Sequence, residues 1–232
     1  MTPTPPSRAR PGPRRALSEA EILTAALRLL DRGGPAALSV RGVANEVGVS
    51  PNALYTYFPT KSALARALVE GLLGHVDRST LADRSQPWRT RIVDFALTVR
   101  TLLLSHPGAV PLLLGSPYDG PNALASHEAL LEVLADAGLS PREAARAAYL
   151  IITYILGSIA LDVAEHDPAA VPLDEPARTA VRRAALTRMP SANYPRTAAS
   201  AKVIAAYNTT AQYTWGLHRL LDGLTVSAVS TS

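Results

Sequence analysis

Residues 38–61 read LSVRGVANEVGVSPNALYTYFPTK, and this stretch decides the fold. It divides into two short helical segments that flank a tight turn. Gly48 can adopt the left-handed conformation that ends a first helix, and Ser50, with a proline after it, is a good N-cap for a second one. Leu54 and Phe58 are spaced four residues apart and point to one side of that second helix. The pattern predicts a helix-turn-helix, a motif whose second helix enters the major groove of DNA.

The segments on both sides carry helix signals of their own. Ser18 and Glu21 form a capping box, so a helix is expected to begin there and to stop at Gly33 and Gly34. Thr60 is an N-cap for a long helix expected over 61–83. A capped helix before the motif and a Tyr-x-Tyr-Phe-x-x-Lys pattern after it make the prediction more specific than a helix-turn-helix alone.

The segment 17–73 resembles the DNA-binding domain of the tetracycline repressor (TetR) family of bacterial regulators. The resemblance is carried by four pieces, ILxAALxLL from residue 22, LSxR from 38, GVS from 48 and ALYxYFxxKxxL from 53. Weaker matches to the tetracycline repressors themselves continue along the chain: Trp88, LLSH from residue 103, LG from 114 and 156, and WGLxxLLxGL from 215. Residues 165–200 match nothing in the family pattern.

The resemblance implies an all-α fold with an N-terminal three-helix helix-turn-helix domain and a C-terminal helical bundle that dimerises. We expect a disordered basic arm over 1–16, the DNA-binding domain over 17–65, a ligand-binding and dimerisation domain over 66–224, and a frayed tail over 225–232. The arm contains four arginines before the first acidic residue. It can contact DNA phosphates or a minor groove, or it can be a solvated tail.

Helix signals in the second half predict five further helices. They are expected over 87–105, 121–137, 141–165, 174–188 and 198–221, the last of them ending at Gly223.

Two of these helices have apolar surfaces that call for an explanation. Residues 147–161 are apolar all round but shorter than the ~20 residues of a membrane span, so a core helix is favoured. In the last helix, apolar residues recur at four-three spacing, which indicates either an internal core stripe or a dimer contact. The family resemblance implies that both helices pack across a dimer axis. The recurring positions are Ala206, Thr210, Tyr213, Leu217, Leu220 and Leu224.

The family motif implies a set of DNA-contacting residues. Asparagine can pair with adenine and arginine with guanine or phosphate. Lysine at a helix N-terminus opposes the macrodipole unless an anion such as a phosphate lies there. The alternative is that Lys61 is simply solvated and that Tyr55 and Tyr57 belong partly to the core. The candidates are Arg41, Ser50, Pro51, Asn52, Ala53, Tyr55, Thr56, Tyr57 and Lys61.

The resemblance also implies a ligand pocket inside the C-terminal bundle. Apolar residues at helical spacing are also what an ordinary core contains. Leu113 and Leu161 stand where tetracycline repressors place metal-binding side chains, so an apolar or aromatic ligand without a metal is expected. The candidates are His75, Phe95, Val99, Leu103, Leu114, Tyr118, Leu130, Tyr154 and Ser158, with Asp162 as a further possibility.

Composition narrows the function classes. The 232 residues include no cysteine, which excludes disulfides, thiolate zinc sites and cysteine nucleophiles, and the net charge is +4. The N-terminus has no apolar segment typical of a signal peptide, so a cytoplasmic location is expected. His127 with Glu128 lacks a second zinc-helix histidine, and no phosphate loop or nucleophile elbow is present. We therefore expect a ligand-responsive repressor without cofactors. The alternative is a helical ligand-binding or interaction protein without DNA binding, and an enzyme is the remaining class.

Overall fold

The computed structural model describes residues 17–165 and 173–229, and the side chains up to residue 224. Every regular element in these two ranges is helical. The helices are α1 (Glu19–Ala37), α2 (Val40–Val47), α3 (Pro51–Tyr57), α4 (Lys61–Gly74), α5 (Ser79–Ala82), α6 (Trp88–Ser105), a 3-10 turn (Pro107–Ala109), α7 (Val110–Leu114), α8 (Pro121–Asp136), α9 (Pro141–Ala164), α10 (Glu175–Thr187), α11 (Pro195–Ala199), α12 (Ala201–Ile204) and α13 (Thr210–Val229).

The helix-turn-helix forms as the sequence predicts. Gly48 ends α2 in the left-handed conformation with φ of 77°, where a residue with a Cβ would be strained. The Ser50 hydroxyl accepts a hydrogen bond from the backbone N–H of Ala53 and so caps α3. Leu54 and Phe58 are buried in a hydrophobic core that also contains buried residues of α1, α2 and α4. This burial fixes which face of α3 is left for solvent.

The predicted long helix after Thr60 is wrong in its extent. It ends at Gly74 with His75 as its C-cap, and a separate short helix, α5, follows. Two glycines weaken this part of the chain by about 1 kcal/mol each relative to alanine. Val76 is buried immediately after the break, so the chain turns to place an apolar side chain in the core.

The C-terminal bundle is built on α6, α8, α9 and α13. Buried polar contacts tie these helices together. The Arg91 guanidinium on α6 donates to the Leu81 carbonyl and to the Asp136 carboxylate of α8, at 2.8 Å in the second case. The Tyr213 hydroxyl on α13 donates to the Ala96 carbonyl of α6 at 2.9 Å. Arg91 and Tyr213 are buried, whereas Asp136 is exposed. Because a buried polar group needs a hydrogen-bond partner, the bonds of Arg91 and Tyr213 help to fix the relative positions of the helices.

The predicted last helix is also wrong at both of its ends. Residues 198–221 are divided among α11, α12 and the start of α13, and the final helix runs past Gly223 to Val229. The Thr209 hydroxyl accepts from the N–H of Gln212 and caps α13, which explains the new start. Tyr213 and Leu217 are buried within the chain, so the internal interpretation of the stripe holds for these two residues.

The segment 173–200 is anchored to the bundle by ion pairs. Asp162 of α9 is fully buried and lies 2.6 Å from the Arg100 guanidinium of α6 and 3.1 Å from that of Arg178 in α10. The Glu175 carboxylate accepts from the backbone N–H of Thr210 at the start of α13. An acidic side chain there also complements the helix dipole. These contacts hold α10, in the segment where the sequence analysis found no family pattern, against α9 and α13.

Helix α9 is long and apolar enough to cross a membrane by length and composition. Its inward positions, Ile151, Ile155 and Ile159, are fully buried in the bundle, in agreement with the core-helix prediction. Its outward positions differ, because Tyr149 and Leu161 are 69% and 65% exposed. Within the single chain, α9 thus has one face in the core and one apolar face without a covering helix.

Candidate nucleic-acid interface and ligand cavity

Helix α3 presents a polar face to solvent. Pro51 is partly buried, and the other candidates on this helix are exposed. Burial of Leu54 and Phe58 on the opposite face holds the helix in this orientation. Arg41 on α2 is exposed as well. The exposed α3 candidates are Asn52, Ala53, Tyr55, Thr56 and Tyr57.

Three of the candidate side chains already make local hydrogen bonds. The Tyr57 hydroxyl donates to the Leu17 carbonyl at 2.6 Å, and the Thr56 hydroxyl donates to the Asn52 carbonyl at 3.3 Å. The Ser50 hydroxyl is engaged as the cap of α3. Tyr57 therefore joins α3 to the start of α1, and its hydroxyl proton is not available to a phosphate in this arrangement. No such contact engages the Tyr55 hydroxyl among the described residues.

Lys61 lies exposed in the first turn of α4. The Thr60 hydroxyl caps this helix by accepting from the N–H of Ala63, and its first turn contains no acidic residue. The N-terminus of α4 thus combines a lysine with the positive end of the helix dipole, an arrangement that favours an anion. Lys61 follows Phe58 by three residues, so this positive end adjoins the exposed face of α3.

A cavity of about 70 Å³ lies inside the C-terminal bundle. Four of the predicted ligand-binding residues line it, namely Phe95, Val99, Tyr118 and Leu130. Leu113 contributes a fully buried wall. The sequence analysis missed the remaining lining residues, most of which have no signal that separates them from ordinary core. They are Leu73, Val76, Ala123, Ser126, His127, Ile152, Ile155 and Leu156.

The other candidates lie outside this cavity. His75 is exposed at the C-cap of α4, where its Nδ1 contacts the Gly71 carbonyl at 2.7 Å, and Leu114 points to solvent. Leu103 is buried in the general core. Asp162 is enclosed by its arginines, which explains why it does not reach the cavity.

Tyr154 and Ser158 line a different feature, an open groove on the outside of the bundle. The Tyr154 hydroxyl donates to the Tyr213 carbonyl at 2.8 Å, and the two rings stack with centroids 5.7 Å apart. Burial raises the pKa of both tyrosines. Trp215 and Leu161 also line this groove. The prediction that these positions face one internal pocket is wrong for the single chain, because they lie on the outer side of α9.

The donor atoms around the cavity do not form a metal site. Side-chain oxygen and nitrogen atoms come from Tyr118, Ser126 and His127, and Leu113 supplies none. No group of three or more His, Cys, Asp or Glu side chains with metal-binding spacing occurs in the described residues. The Tyr118 hydroxyl donates to the Leu113 carbonyl at 3.0 Å, and burial raises its pKa, so it stays protonated at neutral pH.

One helix connects the α3 face to the cavity. Lys61 begins α4, and Leu73 near the other end lines the cavity. In the second half of α4, the Glu70 carboxylate accepts from the backbone N–H of Asn122 at 2.9 Å, and the Glu70 backbone carbonyl accepts from the Asn122 side-chain amide at 3.1 Å. Asn122 lies in the first turn of α8, which supplies Ser126 and His127 to the cavity. These two hydrogen bonds join α8 to α4.

A second connection joins α1 directly to the segment after α6. His106 Nδ1 lies 2.9 Å from the Asp31 carboxylate. Gly108 packs so closely against α1 that a Cβ there would overlap the Leu30 carbonyl group. The same segment continues into α7 and Leu113 at the cavity wall. The DNA-binding region and the cavity are thus connected through two sets of contacts.

Comparison with known proteins agrees with this architecture. Residues 22–68 match the family model for bacterial regulatory proteins of the tetR family, and residues 81–228 match the tetracyclin repressor-like C-terminal domain. The chain belongs to the tetR family of bacterial regulatory proteins. It is accordingly a transcriptional regulator with a helix-turn-helix DNA-binding domain.

Individual relatives of this TetR-family chain are moderately similar. An HTH-type transcriptional regulator of Saccharopolyspora erythraea is 33% identical over 147 residues, which cover 63% of this chain and 61% of that protein. The class D tetracycline repressor of Escherichia coli is 30% identical over 69% of this chain and 72% of its own length. A crystal structure of a possible TetR family regulator from Streptomyces coelicolor A3(2) has a TM-score of 0.77 and 31% identity, and covers 90% of this chain and all of that one.

Proposed function

We propose that the protein is a cytoplasmic, homodimeric repressor that binds operator DNA and is released from it by an apolar or aromatic small molecule. The α4 connection is the observation that carries this proposal. One helix has Lys61 beside the exposed α3 face at its start and Leu73 in the cavity wall near its end. A ligand that binds the protein more tightly when α4 is in one position than in another shifts the protein toward that position. It can change the free energy of DNA binding by no more than this difference in its own binding free energy.

The proposed DNA-contacting face is α3 with Arg41 and the start of α4. Asn52 is assigned to base recognition, because an amide side chain can pair with adenine in the major groove. Tyr55 and Lys61 are assigned to phosphates. Ala53 adds a small apolar contact, and Tyr57 supports the orientation of α3 through its bond to Leu17. The domain divisions at residues 16, 65 and 224, with the basic arm at the start, remain part of this proposal.

The proposed dimer forms through the outer faces of α9 and α13. Tyr149, Leu150 and Leu161 on α9 and Trp215 on α13 are all at least half exposed in the single chain. Large apolar side chains grouped in this way mark a protein interface in soluble proteins. A twofold dimer also places two recognition helices on one side, where they can fit successive major grooves roughly 34–36 Å apart. We assign no catalytic role to the chain.

The effector site is the internal cavity. A drug-sized ligand needs a pocket of roughly 300–1,000 Å³, so the cavity of about 70 Å³ must expand on binding. Tyr118 lines the cavity from outside the helices, in the loop between α7 and α8. Its hydroxyl is held by one hydrogen bond to the Leu113 carbonyl, which contributes about 1 kcal/mol. Opening at this loop separates α8 from α7 and moves the Glu70–Asn122 contact.

The test begins with operator selection from a random DNA library by the purified protein. Release of the selected operator is then titrated with a panel of apolar aromatic compounds and, separately, with tetracycline in the presence and absence of magnesium. We expect metal-independent release by aromatic compounds. Tetracycline release that requires magnesium would contradict the assignment of the cavity, and failure to select any DNA would favour the ligand-binding protein without DNA binding.

A further inference from the structure

The side chains that line the cavity determine which charge an effector can carry. The lining residues include no Asp, Glu, Lys or Arg. A charged group moved from water into such a site loses its hydration without gaining a counter-ion, which is strongly unfavourable. This argument rests on the proposed function, because it takes the cavity as the effector site. An uncharged molecule fits this cavity better than an anion or a cation of the same size.

Hydrogen-bonding capacity is concentrated on the α8 side of the cavity. The Tyr118 hydroxyl proton is already donated to the Leu113 carbonyl, and the Ser126 hydroxyl proton to the Asn122 carbonyl. His127 lines the same cavity, and among the described residues its ring makes no hydrogen bond. A neutral imidazole carries one donor and one acceptor. His127 is therefore the lining side chain with both functions open to a ligand.

Much of the remaining lining is hydrocarbon. Phe95 of α6 and Ile152, Ile155 and Leu156 of α9 line the same cavity. A flat ring requires less separation of the two walls than a bulky group of equal area, and it can stack or pack edge-on against Phe95. The small volume of the cavity favours such a shape.

We propose that the effector is an uncharged, flat aromatic molecule with a hydroxyl or carbonyl oxygen, and that His127 binds this oxygen. His127 then determines which aromatic compounds the regulator detects. A ligand without the oxygen leaves the partly buried imidazole of His127 unpaired, and sites that hydrogen-bond a ligand oxygen discriminate against the analogue that lacks it. A purely structural His127 would show no preference for the oxygenated compound.

The proposal is tested by calorimetric titration with four probes of one ring size: naphthalene, 1-naphthol, 1-naphthoate and 1-naphthylmethylamine. Parent protein is expected to bind 1-naphthol about 10-fold more tightly than naphthalene and to bind both charged probes more weakly than 1-naphthol. His127→Phe should reduce the 10-fold preference to less than about 2-fold. The matched control is His75→Phe, at an exposed histidine outside the cavity, and it should retain the roughly 10-fold preference for 1-naphthol. His127→Gln should retain part of that preference, because the amide has both a donor and an acceptor.

Three results would overturn the proposal. They are an unchanged naphthol preference in folded His127→Phe protein, tighter binding of either charged probe than of 1-naphthol, and no binding of 1-naphthol by parent protein. Operator binding is measured on the same parent sample, so failure of the ligand class is separated from failure of the proposed function. If His127→Phe does not fold, His127→Gln is used in its place. A His127→Gln protein that binds operator normally but no longer prefers 1-naphthol to naphthalene would contradict the claim that a side-chain donor and acceptor at this position bind the ligand oxygen.

Discussion

Gly108 should be intolerant of even one added methyl group, and the effect should appear in DNA binding. An alanine Cβ at this position overlaps the Leu30 carbonyl group and would lie 3.0 Å from the Asp31 backbone nitrogen. Both neighbours are backbone atoms of α1, so no side-chain rotation relieves the contact. The 3-10 turn and α1 must separate until the new contact reaches about 3.5 Å.

The size of the effect follows from this separation. Overpacking a close contact costs about 1–3 kcal/mol of folding stability when the backbone has to shift. The shift acts on α1, which packs against α2 and α4 in the core of the DNA-binding domain. If the junction is a coupling contact, we expect Gly108→Ala to weaken operator binding about 5- to 150-fold, the range of an ordinary allosteric coupling.

The assay is fluorescence anisotropy with labelled operator, accompanied by thermal denaturation and far-ultraviolet circular dichroism. Gly115→Ala is the matched control, since it lies seven residues away in the same segment, and its Cβ would approach no nearer than 3.5 Å to the Pro111 carbonyl oxygen. We expect Gly115→Ala to bind operator like the parent. A Gly108→Ala protein with parental operator affinity and unchanged melting temperature would refute the packing argument and the coupling through α1.

Three further predictions concern stability. Asp162→Asn leaves two arginines without their buried carboxylate and should lower the free energy of unfolding by about 3–5 kcal/mol. The control Asp119→Asn, in an exposed ion pair, should lower it by less than about 1 kcal/mol. Urea unfolding of both variants measures these changes. A hydrogen bond from Arg91 lowers the pKa of the Asp136 carboxyl below its ordinary value of 3.8. The ionised carboxylate therefore stabilises the fold above pH 3.8, and this stabilisation is lost as the pH falls through the lower folded-state pKa. The difference in melting temperature between the parent and Asp136→Asn should shrink over that fall in pH, and a difference that stays constant would contradict this. Tyr57→Phe removes the bond to the α1 backbone and should cost about 0.5–1.5 kcal/mol, and a more stable variant would show that the bond does not support α3.

The helix-turn-helix was predictable because its signals are local. The Ser50 cap, the left-handed Gly48 and the buried pair Leu54 and Phe58 each act within a few residues of sequence. Local chemistry of this kind determines where a helix begins and ends largely without tertiary contacts. The same holds for the predicted capping box of Ser18 and Glu21, which the structure reproduces with both of its hydrogen bonds.

The errors concern features that depend on tertiary packing. The break after Gly74 serves the burial of Val76, and the start of α13 is set by Thr209 together with the distant Glu175. Apolar periodicity identifies an inward face but does not tell which side of a helix lines a cavity. Tyr154 was therefore assigned to the internal cavity although it lines the outer groove. The polar side chains of Ser126 and His127 were the available signals for the missed lining residues of α8.

The most direct test of the account is the salt dependence of operator binding by the parent, Tyr55→Ala and Lys61→Ala proteins. We predict that both variants fold normally and bind operator more weakly, and that Lys61→Ala lowers the slope of log affinity against log salt by about one, as expected for one lost phosphate contact. Parental affinity and an unchanged slope in both variants would contradict the claim that α3 and the start of α4 form the DNA-contacting face.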